Sequence, residues 1–555
     1  MTAFSELPRR LKTSERGISA VCACIAASSW IVAIDNLSFW RTFIGAQQST
    51  SFFVGVAALS LGLVLVALLS TALRALCLHR LGTAVISVVL LVSAGVAHYV
   101  DSWGVLFDKA MIRNIVETDF REARELFSWP ALADLALRGM LPAGLIWYVG
   151  VRRSTATQTL LQVTGFAASA AVLTGIVAFV FYGTLATTFR VHRELRFQLV
   201  PSNYVNAVYG FLKTKKTSAT TAAIVPVAAD AMREPEPNQK PRVSILVVGE
   251  TARAANFSLG GYLRDTNAAL AAKDIFYFTN VTACGTDTAT SLPCMFSNLG
   301  ANKFSVSAAQ ARENALDVLK KTGVDVTWYD NNSGCKGVCD RIPSTQMPTI
   351  GEPDLCRDGA CQDGILIKAL ENKLANVTQD TMIVLHQLGS HGPSYYKRYP
   401  PPGRFQPTCD TNRIQTCSRE ALVNTYDNSI DYTTQVLAQA IEVARQKQSI
   451  FDISLLYISD HGESLGEKGL YLHGLPPMLA PSEQRLVPMI AWFSPGASAR
   501  MKLTQKCMAA IIDAPYSHDN LFHTLLGMHA VITRAYQADL DMFANARSNP
   551  ACLID

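Results

Sequence analysis

Three long runs of the chain contain no Asp, Glu, Lys or Arg: Thr42 to Leu73, Leu81 to Val100 and Ser154 to Phe189. A helix of roughly 20 apolar residues crosses a bilayer core, so each run reads as a membrane span. Gly17 to Ile34 is a fourth, just long enough. A fifth, Ala131 to Val151, is interrupted by Asp134 and Arg138, charges that cost least near an interface. The expected spans are 17–34, 51–73, 81–100, 131–151 and 158–184. Composition agrees. Only 17% of the 555 residues are charged and 49% are hydrophobic, whereas a soluble domain carries about 25% charge. A net charge of +5 argues against a nucleic-acid partner.

Basic residues set the expected orientation. Arg9, Arg10, Lys12 and Arg16 precede the first span, Arg74 and Arg80 separate the second from the third, and Arg152 and Arg153 the fourth from the fifth. With five spans these places share one side, which the positive-inside rule makes cytoplasmic. Everything after Phe189 then lies outside the cytoplasm. Two alternatives stand beside this. The first span could be a cleaved signal peptide, although no convincing small-x-small site follows it. The spans could form a transporter core, with the charged segment Asn114 to Glu125 in it, although no internal repeat is visible.

Cysteine usage splits the chain the same way. Cys22, Cys24 and Cys77 fall in the membrane half. The other ten lie beyond it, and the first eight form close pairs: Cys284–Cys294, Cys335–Cys339, Cys356–Cys361 and Cys409–Cys417, leaving Cys507 and Cys552. That pattern reads as disulfides in an oxidising compartment. The competing zinc-ribbon reading lacks repeated CxxC spacing.

The expected organisation is a transmembrane domain over 1–189, an interfacial helix and linker over 190–242, and a catalytic domain over 243–555. Arg190 to Leu212 mixes basic and aromatic residues and suits a surface helix, whole or broken at Pro201. From Val243 onward short apolar runs alternate with helical stretches such as Arg419 to Lys447. Such alternation predicts an α/β domain with a mostly parallel sheet. In these sheets, sites form beyond the carboxyl ends of the strands, and here those ends carry Glu250, His386, Asp460 and His461.

Two carboxylates and an imidazole at one sheet edge suit a divalent cation. The plain alternative is Asp460 capping a helix beside an ordinary polar His461. Between them in sequence lies VTACGTDTATSLPCMFS (Val281–Ser297), dense in hydroxyls, with Thr288 near the start of an apolar helical run. A helix N-terminus favours an anion, and a metal can make a nucleophile of a hydroxyl. From spacing alone, Thr288 reads as an N-cap.

GETARAANFSLGGYLRDTN (Gly249–Asn267), CGTDTATSLPCMFS (Cys284–Ser297), GSHGPSYYKRYP (Gly389–Pro400) and SDHGESLGEKGLYLHG (Ser459–Gly474) together resemble the lipid A phosphoethanolamine transferases. These are inner-membrane, multi-pass enzymes of the alkaline phosphatase/sulfatase superfamily, with mobile polymyxin-resistance members. The resemblance implies an N-terminal five-helix transmembrane domain and a periplasmic catalytic domain. It implies transfer of phosphoethanolamine from phosphatidylethanolamine to a lipid A phosphate by a monomer, through an adduct on Thr288. Glu250, Thr288, Asp460 and His461 match the ligands of one tight Zn2+. His391 and His473 match histidines near the substrate phosphate that can hold a second, weaker Zn2+. Asn332, Ser333, Lys336 and Glu463 match a polar patch for the phosphate or ethanolamine, and Asn114 and Glu122 match lipid-binding positions. Three other outcomes remain open at this point. Related enzymes modify core sugar or protein, a sulfatase or phosphodiesterase would pass the group to water, and a sensor would carry a dead site. Position 288 is Thr and no CxPxR-type sulfatase motif surrounds it.

Overall fold

The computed structural model describes residues 17–47, 52–77, 81–118, 120–152, 154–218, 224–234, 236, 239–357 and 360–548. Arg9, Arg10, Lys12, Arg16, Arg80, Arg153, Cys552 and part of the connector lie outside the described residues. The chain divides into two compact units, Met1–Lys109 with Phe127–Tyr209, and Ala110–Leu126 with Gly210–Asp555.

Among the described residues of the first unit four helices are long and apolar enough to cross a membrane: Phe52–Leu76, Gly82–Trp103, Trp129–Val149 and Ala156–Val180. The first expected span is a shorter helix, Ala20–Ile34, bent by 56° into Leu37–Gly45; counted as one broken span, the pair makes five. The break has a cause in Asn36. Its side-chain amide donates to the carbonyls of Ile31 (2.9 Å) and Val200 (3.0 Å) and accepts from the Val200 N–H (2.8 Å). Those bonds satisfy both backbone groups of Val200, while the Ile31 carbonyl also accepts from the Asp35 N–H at 3.0 Å.

Asp134 and Arg138 are satisfied by partners inside this unit. Arg138 pairs with Asp101 at 2.7 Å and with Asp134 at 3.6 Å, and Asp134 meets His98 at 2.7 Å. Around Arg138 the helix loosens into a π-turn over Leu135–Met140. Pro142 has no N–H to return to the Arg138 carbonyl, which instead accepts from the Trp30 indole at 2.9 Å. Arg74 is wholly buried, donating to Gln162 (2.8 Å), Thr159 (2.9 Å) and the Cys77 carbonyl (3.1 Å). The connector is broken at Pro201, as its sequence allowed, into Leu195–Gln198 and Ser202–Ser218.

The second unit is built on a seven-stranded sheet. Its strands are β1 (Arg242–Gly249), β2 (Phe276–Phe278), β3 (Asp325–Asp330), β4 (Ser344–Gln346), β5 (Thr381–His386), β6 (Asp452–Ser459) and β7 (Met489–Phe493), in the spatial order β2-β7-β6-β1-β5-β3-β4. Only β7 runs against its neighbours. Val243, Ile245, Leu246, Val247 and Val248 of β1 are all buried. Helices cover both faces of such a strand, so it reads as a continuous apolar run, not an alternating one. Each side chain so buried is worth about 1.5–3 kcal/mol. On either side of β1 the register runs Val248 opposite His386 on β5 and Gly249 opposite Ser459 on β6. The carboxyl ends of β1, β5 and β6 therefore finish level, and they do so where the strand order reverses.

Four disulfides link Cys284–Cys294, Cys335–Cys339, Cys356–Cys361 and Cys409–Cys417. Cys22, Cys24 and Cys77 are free thiols. Cys507 is also disulfide-bonded.

Candidate active site

The residues just past the strand ends converge. Glu250 follows β1, and Asp460 and His461 follow β6, and all three are fully buried. Thr288 is the first residue of the helix Thr288–Met295, whose N-cap is Asp287, not Thr288. The cap frees the threonine hydroxyl for other partners. Thr288 Oγ1 lies 3.1 and 3.2 Å from the two Glu250 oxygens and 3.3 Å from His461 Nε2. His461 Nε2 in turn lies 3.4 Å from Glu250 Oε1 and 3.4 Å from Asp460 Oδ2.

The surroundings fix these groups and leave one demand unmet. Thr251 and Asn332 donate to the two Glu250 oxygens at 2.5 and 2.7 Å. Asp460 Oδ1 accepts from the N–H groups of Thr251 (3.1 Å) and His461 (2.7 Å). Asp460 Oδ2 is buried and has no hydrogen-bond donor among the described residues. A buried carboxylate oxygen with no hydrogen-bond donor, and only the His461 ring at 3.4 Å, is costly, so this is where a cation fits. One atom each of Glu250, Asp460 and His461 lies within 4.8 Å of the others, and two carboxylates, an imidazole and a hydroxyl are a suitable donor set. Among the described residues the two other groups of possible ligands contain Cys284, Cys294, Cys335 and Cys339, which are spent in disulfides.

Protonation reports the same deficit of positive charge. Burial disfavours the charged form of His461, but Asp460 and Glu250 outweigh it and push the imidazole up to about 10. Burial, with Glu250 beside it, raises Asp460 to about 7. Burial also works against Glu250, yet His461, His391 and His473 hold it well below the usual carboxylate range.

A second layer, largely unread in the sequence, holds the first. Asp330 at the end of β3 accepts from the Trp328 indole (2.8 Å) and pairs with His386 Nδ1 (3.0 Å), and its other oxygen accepts from the Asn332 N–H (2.9 Å). Asn332 then reaches Glu250. His518 accepts from the Cys284 N–H at 3.1 Å and contacts the Ser459 carbonyl at 3.0 Å, joining the Thr288 loop to the end of β6. Burial lowers His518 to about 4, which keeps the ring neutral.

The remaining expected residues divide. His473 lies close to His461 (ring centroids 4.3 Å apart) and edge-on to His391 (5.6 Å), so the three imidazoles form one cluster. Glu463 is fully buried behind His473, its carboxylate meeting His473 Nδ1 at 3.3 Å and accepting from the Tyr395 hydroxyl at 2.9 Å. Lys336 has a left-handed φ of 49° and bends back to donate to the Ser333 carbonyl (3.1 Å) and hydroxyl (3.0 Å). Asn114 abuts Gly474, next to His473. A Cβ at Gly474, whose φ is +87°, would lie 3.6 Å from the Asn114 amide. Glu122 is half-buried in the helix Phe120–Leu126.

Comparison with known proteins agrees along the chain. Residues 242–530 match the Sulfatase family, and residues 65–216 match the family described as Phosphoethanolamine transferase EptA/EptB. The Phosphoethanolamine transferase EptA of Escherichia coli (strain K12) is 38% identical over 528 residues, covering 94% of this chain and 96% of its own. The Phosphatidylethanolamine transferase Mcr-1 of Escherichia coli is 35% identical over 533 residues, covering 93% of this chain and 96% of its own. The solved structure of the integral membrane lipooligosaccharide phosphoethanolamine transferase A (EptA) from Neisseria meningitidis has a TM-score of 0.91 and 32% identity, covering 95% of this chain and 98% of that one.

Proposed function

Because the chain belongs to the lipid A phosphoethanolamine transferase family, we propose that it moves phosphoethanolamine from phosphatidylethanolamine to a phosphate of lipid A, by way of an adduct on Thr288. One observation carries this reading: the Thr288 hydroxyl, at a helix N-terminus, faces the Glu250–Asp460–His461 group at 3.1–3.3 Å, where one carboxylate oxygen still lacks a hydrogen-bond donor. Glu250, Thr288, Asp460 and His461 would hold a Zn2+, which supplies positive charge beside the reacting hydroxyl and phosphate.

The protein's own groups then account for two displacements. The helix N-terminus and its backbone N–H groups orient an arriving phosphate. Thr288 Oγ1 attacks the donor phosphorus, the Thr288–phosphorus bond forms, and the bond to diacylglycerol breaks. The threonine proton ends on the departing diacylglycerol oxygen. His391 and His473 stand beside the cluster to hold the phosphate oxygens and pass that proton, and Glu463 fixes the His473 ring through Nδ1. A lipid A phosphate oxygen then attacks the same phosphorus, the Thr288–phosphorus bond breaks, and the proton given up by the acceptor phosphate returns to Thr288 Oγ1. Asn332, Ser333, Lys336, Asn114 and Glu122 complete the substrate surface in this reading.

We place the first unit in the bacterial inner membrane as a monomer's anchor, and the second in the periplasm, where disulfides persist. The added ethanolamine masks negative charge and lowers the attraction of cationic peptides such as polymyxin. The test is mass spectrometry of lipid A from cells expressing the wild type or Thr288→Ala. The wild type is expected to add one phosphoethanolamine unit and the variant none. Unmodified lipid A together with a modified core sugar or protein would move the acceptor elsewhere.

A further inference from the structure

Between the apolar helices Gly82–Trp103 and Trp129–Val149 the chain makes two short helices, Lys109–Glu117 and Phe120–Leu126. Residues Ala110–Leu126 belong to the second unit, although both flanking stretches of chain belong to the first. Two side chains pin this segment, and each pin ends beside a residue of the site.

At one end Arg113 Nη2 donates to Asp287 Oδ1 (3.2 Å) and to the Thr290 hydroxyl. Asp287 is the N-cap of the Thr288 helix, accepting from the Thr290 N–H at 2.9 Å. Its side chain is only 7% exposed, and Arg113 is its one ion-pair partner among the described residues. At the other end Glu125 pairs with Arg398 at 2.6 Å and with Lys397 at 3.5 Å, and the Asn412 amide donates to the Glu125 carbonyl (2.7 Å). Arg398, itself 4% exposed, donates to the His391 carbonyl at 2.7 Å.

We infer that residues 110–126 form a clamp that sets the direction of the Thr288 hydroxyl and the place of His391, with Arg113 and Glu125 as its positioning residues. This rests on the transfer reading. Threonine is stiff about χ1, so the aim of Oγ1 follows the backbone of the first helical turn, which the Asp287 cap fixes. Without Arg113, the Asp287 carboxylate would also stand as an uncompensated negative charge one residue from the point where an anionic phosphate must arrive. Arg113 therefore contributes both geometry and charge balance without touching the reacting atoms.

The test uses the full-length protein in vesicles containing phosphatidylethanolamine, with the mass increment on Thr288 followed in a single turnover. Arg113→Ala is expected to lower the maximal rate of adduct formation at least about tenfold, since small misplacements of a reacting group are costly. The donor concentration for half-maximal rate and the bound metal should stay at wild-type values. Arg113→Lys should recover part of the rate, and Thr290→Val should slow it in the same direction, so the test survives a failure of the alanine variant to fold. Glu125→Gln should slow the reaction less than Arg113→Ala. A shift in the half-saturating donor concentration with the maximal rate intact would make Arg113 a donor-binding residue and overturn the clamp, as would wild-type kinetics in Arg113→Ala. If the wild type forms no adduct on Thr288, the transfer reading fails, a result distinct from either.

Discussion

Arg74 and Asp460 are both buried and both carry groups that ionise, yet their surroundings differ in one respect. Every nitrogen of the Arg74 head has an acceptor: Gln162, Thr159 and the Cys77 carbonyl. Arg138 is likewise closed into a network with Asp101 and Asp134, and through Asp134 with His98. At the sheet edge, Asp460 Oδ2 is left without a donor while Glu250 crowds it with more negative charge. A satisfied buried charge stabilises the arrangement that satisfies it. An unsatisfied one destabilises the protein unless something binds, and active sites tolerate that cost for function.

That contrast can be broken experimentally, and the largest effect is expected at Asp460. Asp460→Asn should lower transfer at least about a hundredfold, since even partners of metal ligands are worth 10–100-fold, and should reduce bound metal. Its thermal stability in metal-free buffer should hold or rise, because a buried, crowded carboxylate oxygen without a hydrogen-bond donor has gone. A clear loss of stability there would erase the distinction. Asn332→Ala should come next, with a loss of about 10–100-fold in activity or metal affinity, because it frees a Glu250 oxygen. Unchanged activity and metal binding would show that Glu250 needs no such support.

Arg74→Met should do the opposite of Asp460→Asn. It should destabilise by about 1–3 kcal/mol, the cost of leaving buried polar groups unmet, while the folded fraction keeps its specific activity in a thermal-shift and turnover comparison. At neutral pH the smallest effect belongs to His529, fully buried with neither ring nitrogen bonded among the described residues. Burial, helped by Arg233, lowers it to about 3. It folds neutral, so the stability it allows is intact above an unfolded pKa of about 6.5 and is lost as the pH falls toward about 3. The loss should run at up to about 1.4 kcal/mol per pH unit. His529→Leu should flatten that part of the stability–pH curve, and an unchanged slope would assign the acid sensitivity elsewhere.

What the sequence made legible follows from which signals are local. Charge-free runs announce membrane helices by themselves, and strand-terminal residues such as Glu250 and Asp460 announce a sheet edge. Close cysteine pairs, such as Cys335 and Cys339, announced their own bonding. What was hidden depends on distant partners. Nothing near Asn36 shows that it bends the first apolar helix by capping Ile31 and holding Val200. Asp330 and His386 lie on separate strands, and only the parallel register of β3 and β5 brings them opposite one another. Asp287, not Thr288, proved to be the helix cap, because two adjacent residues could both serve and spacing does not rank them. Arg113 sits beside Asn114, a position matched to lipid binding, while its partner Asp287 is 174 residues away.

The central claim is that the Thr288 hydroxyl is the group that carries the phosphoethanolamine. The most direct measurement is peptide-mapped mass spectrometry of the purified full-length protein after mixing with phosphatidylethanolamine and no acceptor. The account predicts a donor-dependent gain of one phosphoethanolamine on the peptide containing Thr288, absent in Thr288→Ala and discharged when lipid A is added. A modified residue other than Thr288, or full turnover by Thr288→Ala, would contradict it.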